Sequence, residues 1–401
     1  MIIQRKQYLE KLISLKDKKI IKIITGVRRC GKSTLMEMFI NYLIENGVDK
    51  HNIIFINFED YDFYELRDPS KLYEYIKKLI DPNKQTYIFL DEIQHVTDFP
   101  RIVDALYIKN NIDIYITGSN AYMLSSELAT LISGRYIEIS MLPLSFSEYV
   151  ASTGDKTDLA RKYREYIENS SFPYAIELKN QPRDVKAYLE GIYNTVVVKD
   201  IVSRKKITDV IMLENVIRFV FDNIGNKLSI RKIADTLNSD GRKTDTKTIE
   251  KYISGLIESF VIYKAYRYNI KGKELLKTLE KYYVVDIGLR YMLLGSRSTD
   301  VGHILENIVY LELLRRGYDV YVGKFDDLEI DFVAVNDKKT VYYQVAATVR
   351  DWRTLERELR SLNSIQDHYE KIILTLDEDP EADYDGIRRI NVLDWLIEDS
   401  K

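Results

Sequence analysis

The chain has 401 residues, 30% charged against 45% hydrophobic, and a formal net charge of −3. That balance excludes a disordered chain, and it excludes nucleic-acid binding through bulk charge, so any such contact must come from a local patch. The single cysteine, Cys30, excludes an internal disulfide framework. The length implies two or three domains. The start, MIIQRKQYLEKL, has no signal-peptide apolar core, and no apolar run approaches a membrane span. A cytoplasmic protein with no membrane partner is expected.

In chain order, KKIIKIITGV reads as a buried strand closed by Gly26, and TLMEMFINYLIENG as a helix stopped by Gly47. Between them the run Gly26, Val27, Arg28, Arg29, Cys30, Gly31, Lys32, Ser33, followed by Thr34, fits the phosphate-loop pattern in its strand–loop–helix context. The two glycines let the backbone turn its N–H groups toward an anion, and the helix adds its positive end. Lys32 is expected at the β and γ phosphates of a nucleotide, and the Ser33 hydroxyl on magnesium. Cys30 lies near the helix N-terminus, a place that lowers a thiol pKa. It reads as a redox switch or, more simply, as a small side chain that fits.

Further strands are expected near 52–60, 86–94, 112–120 and 136–141. The 86–94 strand ends in Asp91-Glu92. A carboxylate at Asp91 suits the magnesium shell, and Glu92 suits the base that polarises an attacking water. The next strand ends in Thr117-Gly118-Ser119-Asn120, with Ser119 and Asn120 as candidates for sensing the γ phosphate or the water. A plain Gly-Ser-Asn turn explains the same residues equally well.

GVRRCGKST, FLDEIQ, ITGSN, SGRY and LPLSFSEY together resemble the AAA-type, additional-strand P-loop ATPases found in bacteria and archaea as long single chains. The resemblance runs from about residue 1 to 225. It implies ATP as the nucleotide. It also implies an arginine finger at Arg135 acting in a neighbouring subunit of a homo-oligomer. The alternative is a surface arginine paired with Glu148 or Glu138. One departure stands out: the lid turn that is usually Gly-Gly-Phe-Pro in the family is Ser170-Ser171-Phe172-Pro173 here. Serine tolerates positive φ less well than glycine.

From about 226 the pattern changes. LSIRKIADTLN reads as a helix capped by Ser229, SDGRKTDT as a polar loop, and TKTIEKYISGLIESFVI as a second helix with Ile249, Ile253, Leu256 and Ile257 inward. YKAYRYNIKGKELL reads as a hairpin with a basic turn. Two helices and a hairpin make a winged helix-turn-helix. Lys243, Lys247 and Lys251, spaced by four and so expected on one face of the second helix, and the turn residues Lys271 and Lys273 are the candidate DNA contacts. A solvated helix face or a protein-docking module is the competing reading.

The last hundred residues read as helix, three strands, helix, strand, helix. Their order, with Glu306 and Asp331, resembles the PD-(D/E)XK nuclease-like fold. That resemblance implies Glu-x-Lys on the third strand, where this chain has Gln344-Val345-Ala346. A neutral amide and a methyl group do not hold magnesium or activate water. Glu306, Asp331 and Gln344 are therefore expected to form a vestigial site.

The expected architecture is α/β: an ATPase core over 1–150, a helical lid over 151–225, a winged helix over 226–295 and an inactive nuclease-like domain over 296–401. The expected function is an ATP- and Mg2+-dependent ATPase, acting as a switch or motor on a partner such as DNA. The competing readings are an ATP-gated nuclease and a nucleotide-dependent regulator that binds a protein.

Overall fold

A computed structural model describes residues 3–121, 132, 134–239, 241, 243–295 and 300–398. Ser133 of the SGRY element, and Asp240 and Arg242 of the polar loop, lie outside the described residues. The chain divides into two compact units, Met1–Pro143 with Glu258–Phe260, and Leu144–Ile257 with Val261–Lys401.

The first unit holds a five-stranded parallel sheet of β1 (Ile21–Thr25), β2 (Ile53–Asn57), β3 (Thr86–Asp91), β4 (Ile112–Gly118) and β5 (Tyr136–Ser140), in the order β2-β3-β4-β1-β5. The three central strands are buried at every position, as a parallel sheet covered on both faces requires, while β2 and β5 have partly exposed positions. Helices α1 (Lys6–Leu15), α2 (Lys32–Glu45), α3 (Pro69–Leu79) and α4 (Phe99–Tyr107) complete the unit. The strand β4 lies between β1 and β3, so the carboxyl ends of all three meet at one edge.

The opposite end of the sheet carries a buried ion pair that the apolar look of the first strand conceals. Lys22 and Asp113 have side chains 0% and 1% exposed and are in direct contact. The second oxygen of Asp113 accepts hydrogen bonds from Tyr115 Oη at 2.8 Å and from the Asp17 backbone N–H at 2.9 Å. The turn after α1 is fastened to the sheet through this pair.

The second unit begins with α5 (Phe146–Ser152), closed by a capping box between Ser145 and Glu148. It continues through α6 (Leu159–Asn169), α7 (Pro182–Ile192), a π-helical stretch (Tyr193–Asp200) and α8 (Val210–Asp222). At the lid turn, Ser170 adopts the positive φ (84°) that glycine would take more easily. Ser171 compensates by donating from both its N–H and its hydroxyl to Asp286 Oδ2, at 2.7 and 2.6 Å.

Next come α9 (Ile230–Ser239) and α10 (Thr246–Glu258), with the Ser229 hydroxyl accepting from Lys232 N–H as expected. In α10 the inward face is Ile249, Tyr252, Ile253 and Leu256, while Ile257 is only partly buried. Lys243 precedes the helix, because Asp245 caps it by accepting from Thr248 N–H at 2.7 Å. Only Lys247 and Lys251 therefore share a helical face.

A hairpin of β7 (Ile262–Asn269) and β8 (Glu274–Val284) follows, and then α11 (Ile287–Leu294), α12 (Val301–Arg315), β9 (Asp319–Phe325), β10 (Leu328–Val335), β11 (Thr340–Ala346), α13 (Trp352–Asn363), β12 (Glu370–Thr375) and α14 (Val392–Ile397). Counting the short β6 (Lys227–Leu228) and the unanticipated β13 (Ala382–Tyr384) and β14 (Ile387–Asn391), one mixed nine-stranded sheet runs β13-β14-β12-β11-β10-β9-β7-β8-β6. The hairpin joins the C-terminal strands because the free edge of β7 pairs in parallel with β9. An unpaired edge is a ready template for another strand. The expected boundary at 295 thus falls inside a unit whose sheet runs continuously across it. No helix among the described residues is long and apolar enough to cross a membrane.

Candidate functional site

The loop between β1 and α2 is shaped by its two glycines. Gly26 has φ of 149°, and a Cβ there would stand 2.2 Å from the Met141 carbonyl oxygen, so only glycine fits. Gly31, with φ of 104°, caps the N-terminus of α2. Arg5, 3% exposed, donates to the Cys30 carbonyl at 2.9 Å and the Leu142 carbonyl at 2.7 Å, pinning the loop from behind. Cys30 is fully buried. Burial pushes its thiol up, against the opposing Lys32 and Arg5 charges. The helix-terminus expectation of a lowered thiol fails because desolvation dominates, and Cys30 is a packing residue in this geometry.

Lys32 and the acids converge. The Lys32 ammonium lies 3.3 Å from Glu92 Oε1 and donates to the Gly26 carbonyl at 3.2 Å. Burial alone would lower the Lys32 pKa, but the charge and hydrogen bond of Glu92 outweigh it and raise it. Burial likewise pushes Glu92 up, and Lys32 and the Gln94 amide outweigh it, holding the carboxyl below its usual range. Asp91 is fully buried, and burial raises its pKa against hydrogen bonding from Thr117 and Ser33. Its Oδ1 accepts from Thr117 Oγ1 at 2.6 Å. Its Oδ2 is buried and accepts no hydrogen bond among the described residues. An orphaned carboxylate oxygen beside the Ser33 hydroxyl at a helix N-terminus fits a magnesium shell.

Two residues that the sequence reading missed complete the arrangement. Thr117 receives the Glu92 backbone N–H at 2.8 Å while donating to Asp91, so it fixes both acids. Glu92 sits in the left-handed region at φ 52°, and this bond helps hold it there. Gln94 donates to Glu92 Oε2 and, at 3.3 Å, to Ser119 Oγ. Ser119 is buried just after β4 and is linked to Glu92 through Gln94, and Asn120 is half-buried beside it. The signal for Thr117 was its place in β4. The register sets Leu90 against Ile116, and so Asp91 against Thr117.

Arg135 pairs with Asp104 at 2.5 Å and lies over the Tyr107 ring at 5.5 Å. Neither partner expected for a plain surface arginine is used: Glu138 accepts from Thr25 Oγ1 at 2.6 Å, and Glu148 closes the capping box.

In the helix–hairpin region, Lys243 and Lys251 line a cleft of about 480 Å³ with Asp209, Asp245, Met212 and Tyr252. Lys247 is exposed on α10. At the hairpin turn Lys271 pairs with Asp326 at 3.2 Å, and Lys273 is exposed with φ of 51°.

The C-terminal centre does assemble Glu306 and Asp331, but around a lysine from β8. Lys281 Nζ lies 2.8 Å from Glu306 Oε1, 2.9 Å from Glu329 Oε1 and 3.8 Å from Asp331 Oδ1. Burial and the Glu306 charge push Asp331 up to about 8. Gln344 accepts from Asp331 N–H and donates to Glu358 Oε2, each at 2.7 Å. Neither Lys281, Glu329 nor Glu358 was singled out in the sequence.

The sequence profile of a family described as an AAA domain matches residues 18–150, and that of a domain of unknown function matches residues 160–300. An uncharacterized protein of Haemophilus influenzae is 40% identical over 401 residues, 99% of each chain. An uncharacterized protein of Methanocaldococcus jannaschii is 30% identical over 376 residues, 89% of this chain and 79% of its own. Among solved structures, a Walker-type ATPase of Pyrococcus abyssi is similar with a TM-score of 0.51 over 73% of this chain and 96% of its own, at 15% identity, which speaks to the fold alone. The fold is the α/β P-loop ATPase type, followed by a unit built on a mixed sheet.

Proposed function

The chain belongs to a family of bacterial and archaeal proteins with an AAA-type P-loop ATPase domain, and from that premise we propose that it binds ATP with magnesium and hydrolyses it to ADP and phosphate as a switch on a partner. The observation that carries this reading is the Lys32–Glu92 pair at the mouth of the glycine loop, with Asp91 fixed behind it by Thr117. On ATP binding, the Lys32 ammonium exchanges Glu92 for the β and γ phosphates. Glu92, released, accepts the proton of a water whose oxygen bonds to the γ phosphorus as the bond to the β–γ bridging oxygen breaks. Ser33 and Asp91 would hold magnesium, which when bound neutralises charge on the phosphate oxygens. Gln94, by donating to Glu92 Oε2, keeps the released Oε1 oriented, and its contact with Ser119 links that end of β4 to the base. Arg135 serves a neighbouring subunit as the finger on the γ phosphate, leaving Asp104 to do so.

The partner in this reading is DNA, met by the exposed Lys247 and Lys251 on α10 and by Lys271 and Lys273 at the hairpin tip, as in a winged helix. A protein partner is the second reading, favoured by Asp209 and Asp245, which line the same cleft as Lys243 and Lys251. Steady-state ATPase measurements with and without DNA test the proposal. Turnover that DNA stimulates supports the switch on DNA, turnover indifferent to DNA favours the protein partner, and no turnover removes the hydrolytic reading.

A further inference from the structure

We propose that Lys281 is a built-in cation standing where a nuclease of this fold would hold its divalent metal, so that the C-terminal centre is closed to metal. The centre holds three carboxylates, from α12 and β10, which is why a metal site is the first thought. A divalent ion needs free oxygens: magnesium takes six, at about 2.1 Å. Here each carboxylate oxygen already has a polar group of the protein beside it. Glu306 Oε1 faces Lys281 and accepts from Tyr283 Oη at 2.6 Å, and its Oε2 faces His303 at 3.9 Å. Glu329 Oε1 faces Lys281, and its Oε2 accepts no hydrogen bond among the described residues but lies against the Lys227 ammonium, whose charge repels a metal ion there. Asp331 Oδ1 faces Lys281, and its Oδ2 accepts from Val345 N–H at 2.9 Å. The residues present therefore do not fit a metal.

The lysine is also held in its charged form. Burial would lower its pKa, but the charges of Glu306, Asp331 and Glu329 outweigh this and raise it. Its side chain is 4% exposed and that of Glu306 is 8% exposed, so neither is solvated enough to trade its partner for a hydrated ion at little cost. The space around the cluster is tight as well. At Gly225, with φ of 70°, a Cβ would stand 3.0 Å from His303 Nδ1 and 3.1 Å from Glu306 Oε2. The third polar residue of the expected nuclease set, Gln344, is committed to Glu358 and to the Asp331 backbone. In effect the cluster is an ion-pair knot that ties β8, β10 and α12 together, and it offers no route to phosphodiester cleavage. A lysine absent from the third strand has not been restored as a catalyst by β8. It has replaced the metal.

The experiment uses the full chain carrying Lys32→Ala, without nucleotide, so that its result does not depend on the ATPase reading. Bound Mn2+ is read from the loss of the free-ion electron paramagnetic resonance signal at pH 8. The parent is expected to bind no Mn2+ at this centre, and Lys281→Gln to bind one ion per chain more than the parent. Adding Asp331→Asn to that variant is expected to abolish the gain. A parent that binds one Mn2+ lost on Asp331→Asn, or a folded Lys281→Gln chain that binds none, overturns the proposal. If Lys281→Gln does not fold, the parent and its Asp331→Asn variant decide. No Mn2+ bound by either upholds the closed centre, and binding that Asp331→Asn removes overturns it.

Discussion

Lys32 and Glu92 face each other at 3.3 Å with side chains 3% and 8% exposed, so the cation suited to phosphate holds the acid suited to water. Each is the other's counter-charge until a nucleotide competes. Glu92→Gln should keep ATP affinity at or above that of the parent, because it weakens the grip on Lys32, and should slow hydrolysis by about 10²–10⁴-fold, the usual worth of a positioned base. Lys32→Ala should abolish binding, since it removes the phosphate cation and leaves Glu92 uncompensated. Calorimetric titration with ATP and single-turnover hydrolysis check both; equal turnover in Glu92→Gln and parent removes Glu92 from the mechanism.

Thr117 holds Asp91 and the Glu92 backbone at once. Thr117→Val keeps the shape and deletes the hydroxyl, leaving a buried carboxylate oxygen and a buried N–H unpaired. The expected cost is about 1–3 kcal/mol of stability for the unpaired groups, together with a fall in turnover larger than any fall in ATP affinity. Denaturant melts beside kinetics measure the two separately. A loss confined to stability would mean that Thr117 supports the sheet end without positioning the acids.

Arg135 is 45% exposed in its pair with Asp104, and such a pair contributes less than about 1 kcal/mol. Arg135→Ala should therefore leave the melting temperature nearly unchanged while hydrolysis drops and ATP binding stays. Mixed with Glu92→Gln chains it should regain partial activity, since each variant keeps what the other lacks. Full activity of Arg135→Ala at every protein concentration would end the finger reading.

Lys247 and Lys251 share one face of α10, whereas Lys243 lies before the helix. Reversing Lys247 and Lys251 to Glu should weaken DNA binding. It should also flatten the slope of log affinity against log salt by about one unit for each phosphate no longer met by a lysine. Fluorescence anisotropy across a salt series reads the slope. Unchanged affinity at low salt would turn the helix toward a protein partner.

What the sequence made legible was local. The glycine loop could be read because strand, loop and helix are contiguous, and Asp91-Glu92 because the pair ends a strand with no outward alternation. The helix–hairpin order could be read from period and turn chemistry. What it hid depends on strands that meet only in space. Thr117 matters because β4 inserts beside β3, Lys22 because Asp113 lies one strand away within an apolar run, and Lys281 because the hairpin and the C-terminal strands share a sheet. Lys243 was placed on the helix because spacing by four is blind to the Asp245 cap.

The same hidden contacts change what a repair of the third strand would do. Gln344→Glu with Ala346→Lys looks like a restoration of the nuclease pattern, but Gln344 is 5% exposed and donates to Glu358 Oε2 at 2.7 Å. A glutamate there would lose that donor and set two buried carboxylates against each other. Ala346 packs in an apolar cluster with Val333, Tyr342 and Leu355, so a lysine at 346 would enter apolar surroundings and not the carboxylate centre. Gln344→Glu alone should destabilise the chain by about 2 kcal/mol or more at pH 8, since a hydrogen bond to a charged group is lost and repulsion is added. The repulsion raises the folded-state pKa of one of the two carboxyls above its unfolded value. A raised carboxyl destabilises the fold when ionised, and that penalty is relieved as pH falls through the folded pKa. The stability gap between parent and variant should therefore narrow from pH 8 to pH 5, as read by thermal melts at each pH. A gap that stays constant would mean that the two carboxyls do not repel each other in the fold, and an unchanged melting temperature at pH 8 would mean that the 344–358 contact contributes nothing to the fold.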